Sequence, residues 1–278
     1  MTEIEQRIEA AGARVDYPSR IFTDEEVAKG THRSVRGGQW DTLGRQQVDF
    51  LSSMGLRPEH RYLDIGAGEF HAGRRMIDFM LPGHYYAIEA NPSLVQVGYD
   101  VELTDAQRAR LPLENLRVTD RFDADFGVAF DMAIAQSVFT HLSLNHLRLC
   151  LFRVAKSVKP GGKLYVTFYE EPARQPLDTV VRRNRQPPYF TERDVYWYYR
   201  DDMKWAARFG PWNYRYIGAW GHHNEQRIVE FTRKADSAPV EKTAPMAPTL
   251  PAGRDRSPRV QALLTRGRRW AARKLDPG

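Results

Sequence analysis

From Arg61 to Glu170 the chain repeats one pattern: a short β-prone run, a turn bearing glycine or an acid, then a stretch with helical periodicity. RYLDIG (61–66), HYYAIEAN (84–91), LRVTD (116–120), FDMAIAQS (130–137) and KLYVTFYE (163–170) read as strands. Helices are expected over 73–81, 93–103 and 144–158, the last with Ser143 as N-cap and stopped by Pro160, Gly161 and Gly162. Strand and helix in alternation imply a parallel sheet with helices on both faces. Ahead of it, 40–54 reads as a helix packed on the sheet, and the spacings Thr2/Glu5 and Thr23/Glu26 are capping boxes opening two shorter helices in an N-terminal cap, residues 1–39. After it come a helix over 192–208 and the runs NYRYIGAWG (213–221) and QRIVEFTR (226–233), whose hairpin-like separation predicts an antiparallel strand at the end of the sheet.

Charge and cysteine content narrow the function classes. The net charge is +6, but residues 236–278 hold nine basic and four acidic side chains, so the body over 1–235 is left with +1. That body lacks the broad basic field of a nucleic-acid enzyme, and no nucleic-acid partner is expected. Cys150 is the only cysteine, which excludes an intrachain disulfide and a cysteine zinc site and fits a reducing cytoplasm. The first residues carry acids where a signal peptide has a basic region, and no run approaches the roughly 18 apolar residues of a membrane span. A domain over 40–235 is therefore followed by a linker, 236–253, with four prolines, and by a tail, 254–278. In the tail Val260, Leu263, Leu264, Trp270, Ala271 and Leu275 follow the helical period among Arg259, Arg266, Arg269 and Arg273. Such a basic amphipathic segment suits contact with the inner face of an anionic membrane or with an acidic partner.

Open parallel sheets bind ligands at the carboxyl ends of their strands. The first strand ends in Asp64-Ile65-Gly66-Ala67-Gly68, where glycines let the backbone approach a ligand; Glu89 ends the second, placed for a ribose diol, and Asp120 the third, placed for an adenine amino group. Three acidic strand ends in order describe a nucleoside site. A dinucleotide fingerprint starting at Gly66 requires glycine where His71 stands, and an anionic pyrophosphate disfavours Asp64 beside the loop. A nucleoside with a sulfonium and a free amino group, and no phosphate, turns that acid into an asset: S-adenosyl-L-methionine.

On these residues the sequence resembles the class I S-adenosylmethionine-dependent methyltransferases, over about 40–233. YLDIGAG matches their first motif, YYAIEAN the acidic second, FDMAIAQSVFTHL the fourth-strand and KPGGKLYVTFYE the fifth-strand motif, with one departure, Phe70 where a glycine is common. The resemblance implies a Rossmann-like, doubly wound, mostly parallel seven-stranded α/β sheet with an antiparallel terminal strand. It implies that Asp64, Gly66 and Gly68 hold the methionine part, Glu89 the ribose, Asp120 the adenine with Phe122 flanking the ring, and Gln136 the amino end. GAGEFHAGRR with AQSVFTHL looks most like a bacterial branch that modifies small molecules, glycans or natural products.

Methyl transfer is an in-line displacement, so alignment and exclusion of water carry most of the catalysis, and a hydroxyl acceptor also needs a proton acceptor. His141, in Phe139-Thr140-His141 after the fourth strand, is placed for that role or for holding its loop; Glu170, ending the fifth strand, is placed to bind or deprotonate the acceptor or to cap a loop. His222, His223 and Glu225 match no strong metal signature. Gln186-Pro187-Pro188-Tyr189 resembles the loop of DNA amino-methyltransferases but follows the wrong strand, and reads as an extended entry with Thr191 as N-cap. The aromatic cluster Tyr189, Phe190, Tyr196, Trp197, Tyr198 and Tyr199 suits core or dimer packing or an acceptor platform. The leading expectation is O-methylation of a small-molecule or glycan hydroxyl; the alternatives are N-methylation of a small amine and a cofactor-binding adaptor that does not turn over.

Overall fold

A computed structural model describes residues 20–34, 40–171 and 195–235. The linker, the basic tail, the Thr2/Glu5 box and the QPPYF segment lie outside the described residues. Two short helices, α1 (Asp24–Ala28) and α2 (Thr31–Ser34), come first, and the Thr23/Glu26 capping box opens α1 as expected. The helix α3 (Trp40–Ser53) leads into β1 (Tyr62–Ile65), followed by α4 (Gly73–Phe79), β2 (Tyr85–Glu89), α5 (Pro92–Val97), α6 (Asp105–Arg110), β3 (Leu116–Val118) and β4 (Phe130–Ala135). The chain continues through α7 (Leu144–Val154), β5 (Val158–Glu170), β6 (Trp197–Tyr198), α8 (Arg200–Ala206), β7 (Trp212–Ala219) and β8 (Arg227–Arg233).

The strand order is β3-β2-β1-β4-β5-β8-β7, with the two-residue β6 paired on β5. β1 to β5 are mutually parallel, and β8 runs antiparallel between β5 and β7. The sheet is therefore mostly parallel with one antiparallel strand, which is last in the chain but interior in the sheet, with β7 at the edge. Period-two alternation sends side chains to two cores. Leu63, Ile65, Ala133 and Ala135 pack with Leu147, Leu151 and Val154 of α7, whereas Tyr62, Tyr85 and Ile134 pack with Leu51 of α3 and Met76 and Ile77 of α4. Among the described residues no helix is long and apolar enough to cross a membrane.

Three expectations need correction. The helix over 93–103 starts one residue early, at Pro92, because Asn91 caps it by accepting from the Leu94 N–H at 3.1 Å, and after Val97 it widens into a π-helical turn, Gly98–Glu102. The helix over 144–158 stops at Val154, and Pro160, Gly161 and Gly162 belong instead to β5, which reaches back to pair Val158 with Phe130 across a register shift. Ser143 holds the N-cap position as expected, with its hydroxyl turned to His146 Nδ1 at 2.8 Å in place of a side-chain cap bond. The helix over 192–208 shrinks to α8 and a 3-10 turn, Ala207–Phe209, because the aromatic run ahead of it is drawn into β6, where Trp197 stacks on Tyr169 at 4.7 Å.

A buried carboxylate, Glu230, gathers an ionic cluster on the sheet. Glu230, 5% exposed on β8, accepts from Arg215 (2.7 and 3.0 Å) and from the Tyr165 hydroxyl (2.7 Å), with Lys163 at 3.6 Å. Burial raises its proton affinity, but the hydrogen bonds from Arg215 and Tyr165 and the cations outweigh it and hold its pKa at about 2, against 4.5 for an ordinary glutamate. A depressed carboxylate stabilises the fold above its unfolded pKa and loses that contribution as pH falls toward the folded one. With solvent screening at the half-exposed Arg215, about 1–3 kcal/mol should disappear between about pH 4.5 and about pH 2. Urea unfolding across this window should show a shallower pH slope in Glu230→Gln than in the parent; identical slopes would remove Glu230 from the acid response.

Candidate active site

The loop after β1 is shaped by backbone that few side chains tolerate. Gly66 has φ +74°, its N–H extends the ladder to Ile88 O at 2.8 Å, and a Cβ there would lie 2.5 Å from Val138 Cγ2. Phe70, which departs from the glycine expected on the resemblance, itself takes a left-handed conformation (φ 61°), with its ring fully buried and edge-on to Tyr85 at 6.4 Å. Burial of that ring offsets backbone strain that glycine would not feel. The π-helical turn clamps the loop from the other side: a Cβ at Gly98 would meet Glu69 backbone carbon at 2.7 Å and the Phe70 ring at 2.7 Å. Backbone cannot yield as a side chain tip does. Gly98→Ala should therefore cost about 1–3 kcal/mol of stability by overpacking and displace the loop, read as a lowered melting temperature together with weakened ligand binding; a fully stable variant would show that the contact relaxes freely.

Glu89, 3% exposed at the end of β2, locks this loop to its neighbour. Its Oε2 accepts from the Gly68 N–H at 2.8 Å, and Oε1 accepts from the N–H groups of Ala90 and Asn91, each at 2.9 Å. A carboxylate offers about four acceptor positions, so three are filled and one, on Oε2, is open to a ligand. Asp64, also buried, accepts from the Tyr85 hydroxyl at 2.7 Å. Burial and the neighbouring Asp64 charge push the Tyr85 proton affinity well up, so the phenol stays a donor. Tyr85 was invisible as a site residue in the sequence, where it reads as one aromatic in a strand.

At the next two strand ends the placements differ. Asp120 is exposed just past β3, which is drawn beside Glu89 by a Thr119 N–H to Glu89 O bond of 2.8 Å. Phe122 is 6% exposed and stacks on Phe139, centroids 6.0 Å apart, so its ring belongs to the core packed with α7. Gln136 follows β4 half-buried, and its Oε1 is buried with no partner among the described residues. An orphaned acceptor at a strand end requires an explanation. The α-amino group of S-adenosylmethionine would supply the missing donors, the open Oε2 of Glu89 suits a ribose hydroxyl, and the carboxylates of Asp64 and Glu89 suit a cationic ligand. The residues present fit that cofactor.

No protein-family profile and no curated protein matches the chain. Solved structures do. The magnesium protoporphyrin IX methyltransferase of Synechocystis PCC 6803 with bound SAM is similar at 17% identity, covering 80% of this chain and 100% of that one, with TM-score 0.51. A SAM-bound amino pentose methyltransferase from Micromonospora echinaspora gives 17%, 78%, 99% and 0.51 in the same order. An O-methyltransferase family protein from Burkholderia thailandensis gives 12%, 76%, 63% and 0.52. The fold is that of the class I S-adenosylmethionine-dependent methyltransferases.

The two residues that the sequence marks for the acceptor, His141 and Glu170, follow β4 and end β5. His141 is exposed in the turn before α7, its backbone N–H donating to Val138 O at 3.1 Å. Glu170 is engaged on both oxygens: Oε1 by Arg200 at 3.0 and 3.1 Å, and Oε2 by the Tyr216 hydroxyl and by Arg227 at 3.5 Å. A carboxylate held by two guanidiniums and a phenol positions those groups and is poorly placed to take a proton from an acceptor. Ser137, Thr167 and Gln226 knit the ends of β4, β5 and β8 together: Thr167 Oγ1 accepts from the Ser137 N–H and donates to Gln226 Oε1, each at 2.7 Å. His222 is buried and His223 and Glu225 are exposed; among the described residues no three metal-ligating side chains converge.

Proposed function

We propose that the protein is an S-adenosylmethionine-dependent methyltransferase acting on a hydroxyl of a small molecule or glycan. The observation that carries the cofactor is the buried, unpartnered Gln136 Oε1 at the end of β4, on the same sheet edge as the Glu89–Gly68 lock. Bound there, the cofactor supplies an electrophilic methyl on a sulfonium. Gln136 orients its amino end, the Oε2 of Glu89 takes a ribose hydroxyl, and Asp64 adds negative charge, with Tyr85 fixing the carboxylate. Asp120 takes the adenine amino group, and Phe122 flanks the ring. His141 receives the proton that a hydroxyl acceptor releases, while Glu170 holds Arg200 and Arg227 at the far rim.

The similar structures favour a small acceptor: their names give a porphyrin in one case and an amino pentose in another. The amino group of the second keeps methylation of an amine as the alternative, in which His141 matters less because an uncharged amine needs no strong base. The basic amphipathic pattern over 254–278 is the ground for proposing contact with anionic membrane or an acidic partner. Calorimetry with S-adenosylmethionine and with NAD tests the cofactor, and a screen of hydroxylated and aminated acceptors with labelled S-adenosylmethionine tests the reaction. Tighter binding of NAD would overturn the whole reading, and methylation confined to amines would replace its second half.

A further inference from the structure

The turn joining β7 to β8, residues 220–226, lies at the same sheet edge as the cofactor loop. Arg227, opening β8, pairs with Phe168 near the end of β5, and Gln226 bonds to Ser137, next to Gln136. Within that turn Trp220 and His222 are 9% and 6% exposed, with their rings stacked at 5.4 Å and 28°. The turn is fixed from behind, since Gln46 of α3 donates to Trp220 O at 2.8 Å and Phe50 packs edge-on to the indole at 5.5 Å.

Among the described residues neither Trp220 Nε1 nor His222 Nε2 meets a hydrogen-bond partner, although both atoms are buried. The indole nitrogen is a donor only. The imidazole is settled by its other nitrogen, because His222 Nδ1 accepts from the Asn224 N–H at 3.3 Å. Burial, with a smaller contribution from His223, pushes the imidazole down to about 4, so it is neutral near neutral pH and its one proton sits on Nε2. Two stacked rings thus each carry a buried N–H with no acceptor among the described residues, and an unsatisfied buried donor costs free energy that an incoming acceptor would recover.

The geometry points to Trp220 Nε1 and His222 Nε2 as a donor pair that holds a hydrogen-bond-accepting oxygen of the methyl acceptor, a carbonyl, carboxylate or hydroxyl oxygen beside the group being methylated. The assignment rests on the proposed function. The held oxygen is not the nucleophile, because donating to the attacking lone pair would oppose attack on a sulfonium methyl, and His222 with its proton on Nε2 is no base. The pair therefore selects oxygen-bearing small molecules over analogues in which that oxygen is missing.

The test uses the full chain, isotope-labelled and saturated with S-adenosylhomocysteine, titrated with acetate, acetamide or methylammonium while the Trp220 indole and His222 Nε2 N–H resonances are followed. Acetate or acetamide should shift the Trp220 indole resonance saturably, and methylammonium should not. In His222→Phe, which keeps a stacked ring and loses the N–H, the same probe should bind about tenfold more weakly or less; Trp220→Phe assigns the indole signal. Resonances unmoved by either oxygen probe, or a bound water that neither probe displaces, would overturn the proposal from the parent protein alone, whether or not the variant folds. Calorimetry on the same sample separates the two readings. S-adenosylhomocysteine binding without probe binding removes the donor pair and leaves the proposed function, whereas no S-adenosylhomocysteine binding removes the proposed function.

Discussion

Glu89→Gln should lose S-adenosylmethionine affinity by about 100-fold or more while the protein still folds. The magnitude follows from counting acceptor positions. In the parent, Oε1 serves the N–H groups of Ala90 and Asn91, and Oε2 serves Gly68 with one position to spare. An amide has one carbonyl oxygen. If it keeps Ala90 and Asn91, its NH2 group faces the Gly68 N–H, donor against donor, and the open position for a ribose hydroxyl is gone. The lost charge-assisted hydrogen bond is worth roughly 1.5–3 kcal/mol, and the unsatisfied Gly68 N–H costs roughly 1–3 kcal/mol, part of it paid by the loop moving away from the ligand. Calorimetry with S-adenosylmethionine measures the first effect, and the melting temperature of the unliganded protein measures the second. Unchanged affinity in a folded Glu89→Gln protein would place the ribose elsewhere.

The strand ends were legible in the sequence because each is marked twice, by a β-prone run and by the acid or glycine that stops it. β1, β2 and β4 therefore fall inside their expected spans, and Asp64, Glu89 and Gln136 reach one sheet edge. Local pattern misled where tertiary pairing overrode it. Pro160, Gly161 and Gly162 read as a helix stop with a loop, yet Val158 finds Phe130 across the sheet and carries them into β5. The aromatic run 196–199 falls inside the expected helix over 192–208, but the end of β5 offers an edge on which Trp197 can stack against Tyr169. Relations between residues distant in the chain leave no local signal at all. Neither the Tyr85 bond to Asp64 nor the close approach of Gly98 to Glu69 can be read from spacing, since each arises only when the second strand and its helix fold back over the first loop. The same holds for the Trp220 and His222 donors, because burial without a partner is a property of the packed molecule.

His141→Ala should cut turnover on a hydroxyl acceptor by about 100-fold or more while leaving S-adenosylmethionine affinity nearly intact. The imidazole is exposed beyond β4 and takes no part in the Glu89–Gly68 hydrogen bond, so its removal should leave that cofactor contact in place. A hydroxyl attacks a methyl group well only as its proton departs, and of the two groups marked in the sequence for this task Glu170 is already engaged by Arg200, Arg227 and Tyr216. That leaves His141 to accept the proton. General-base loss of this size appears in turnover with little change in the cofactor dissociation constant, which separates it from a folding defect. A histidine whose side chain merely held its turn would lower the melting temperature and reduce turnover only in proportion to the folded fraction, the backbone N–H bond to the Val138 carbonyl being kept in alanine. Paired acceptors sharpen the distinction: the same substitution should leave methylation of an uncharged amine within a few-fold of the parent, since no strong base is needed there, and equal losses on hydroxyl and amine would assign His141 to positioning.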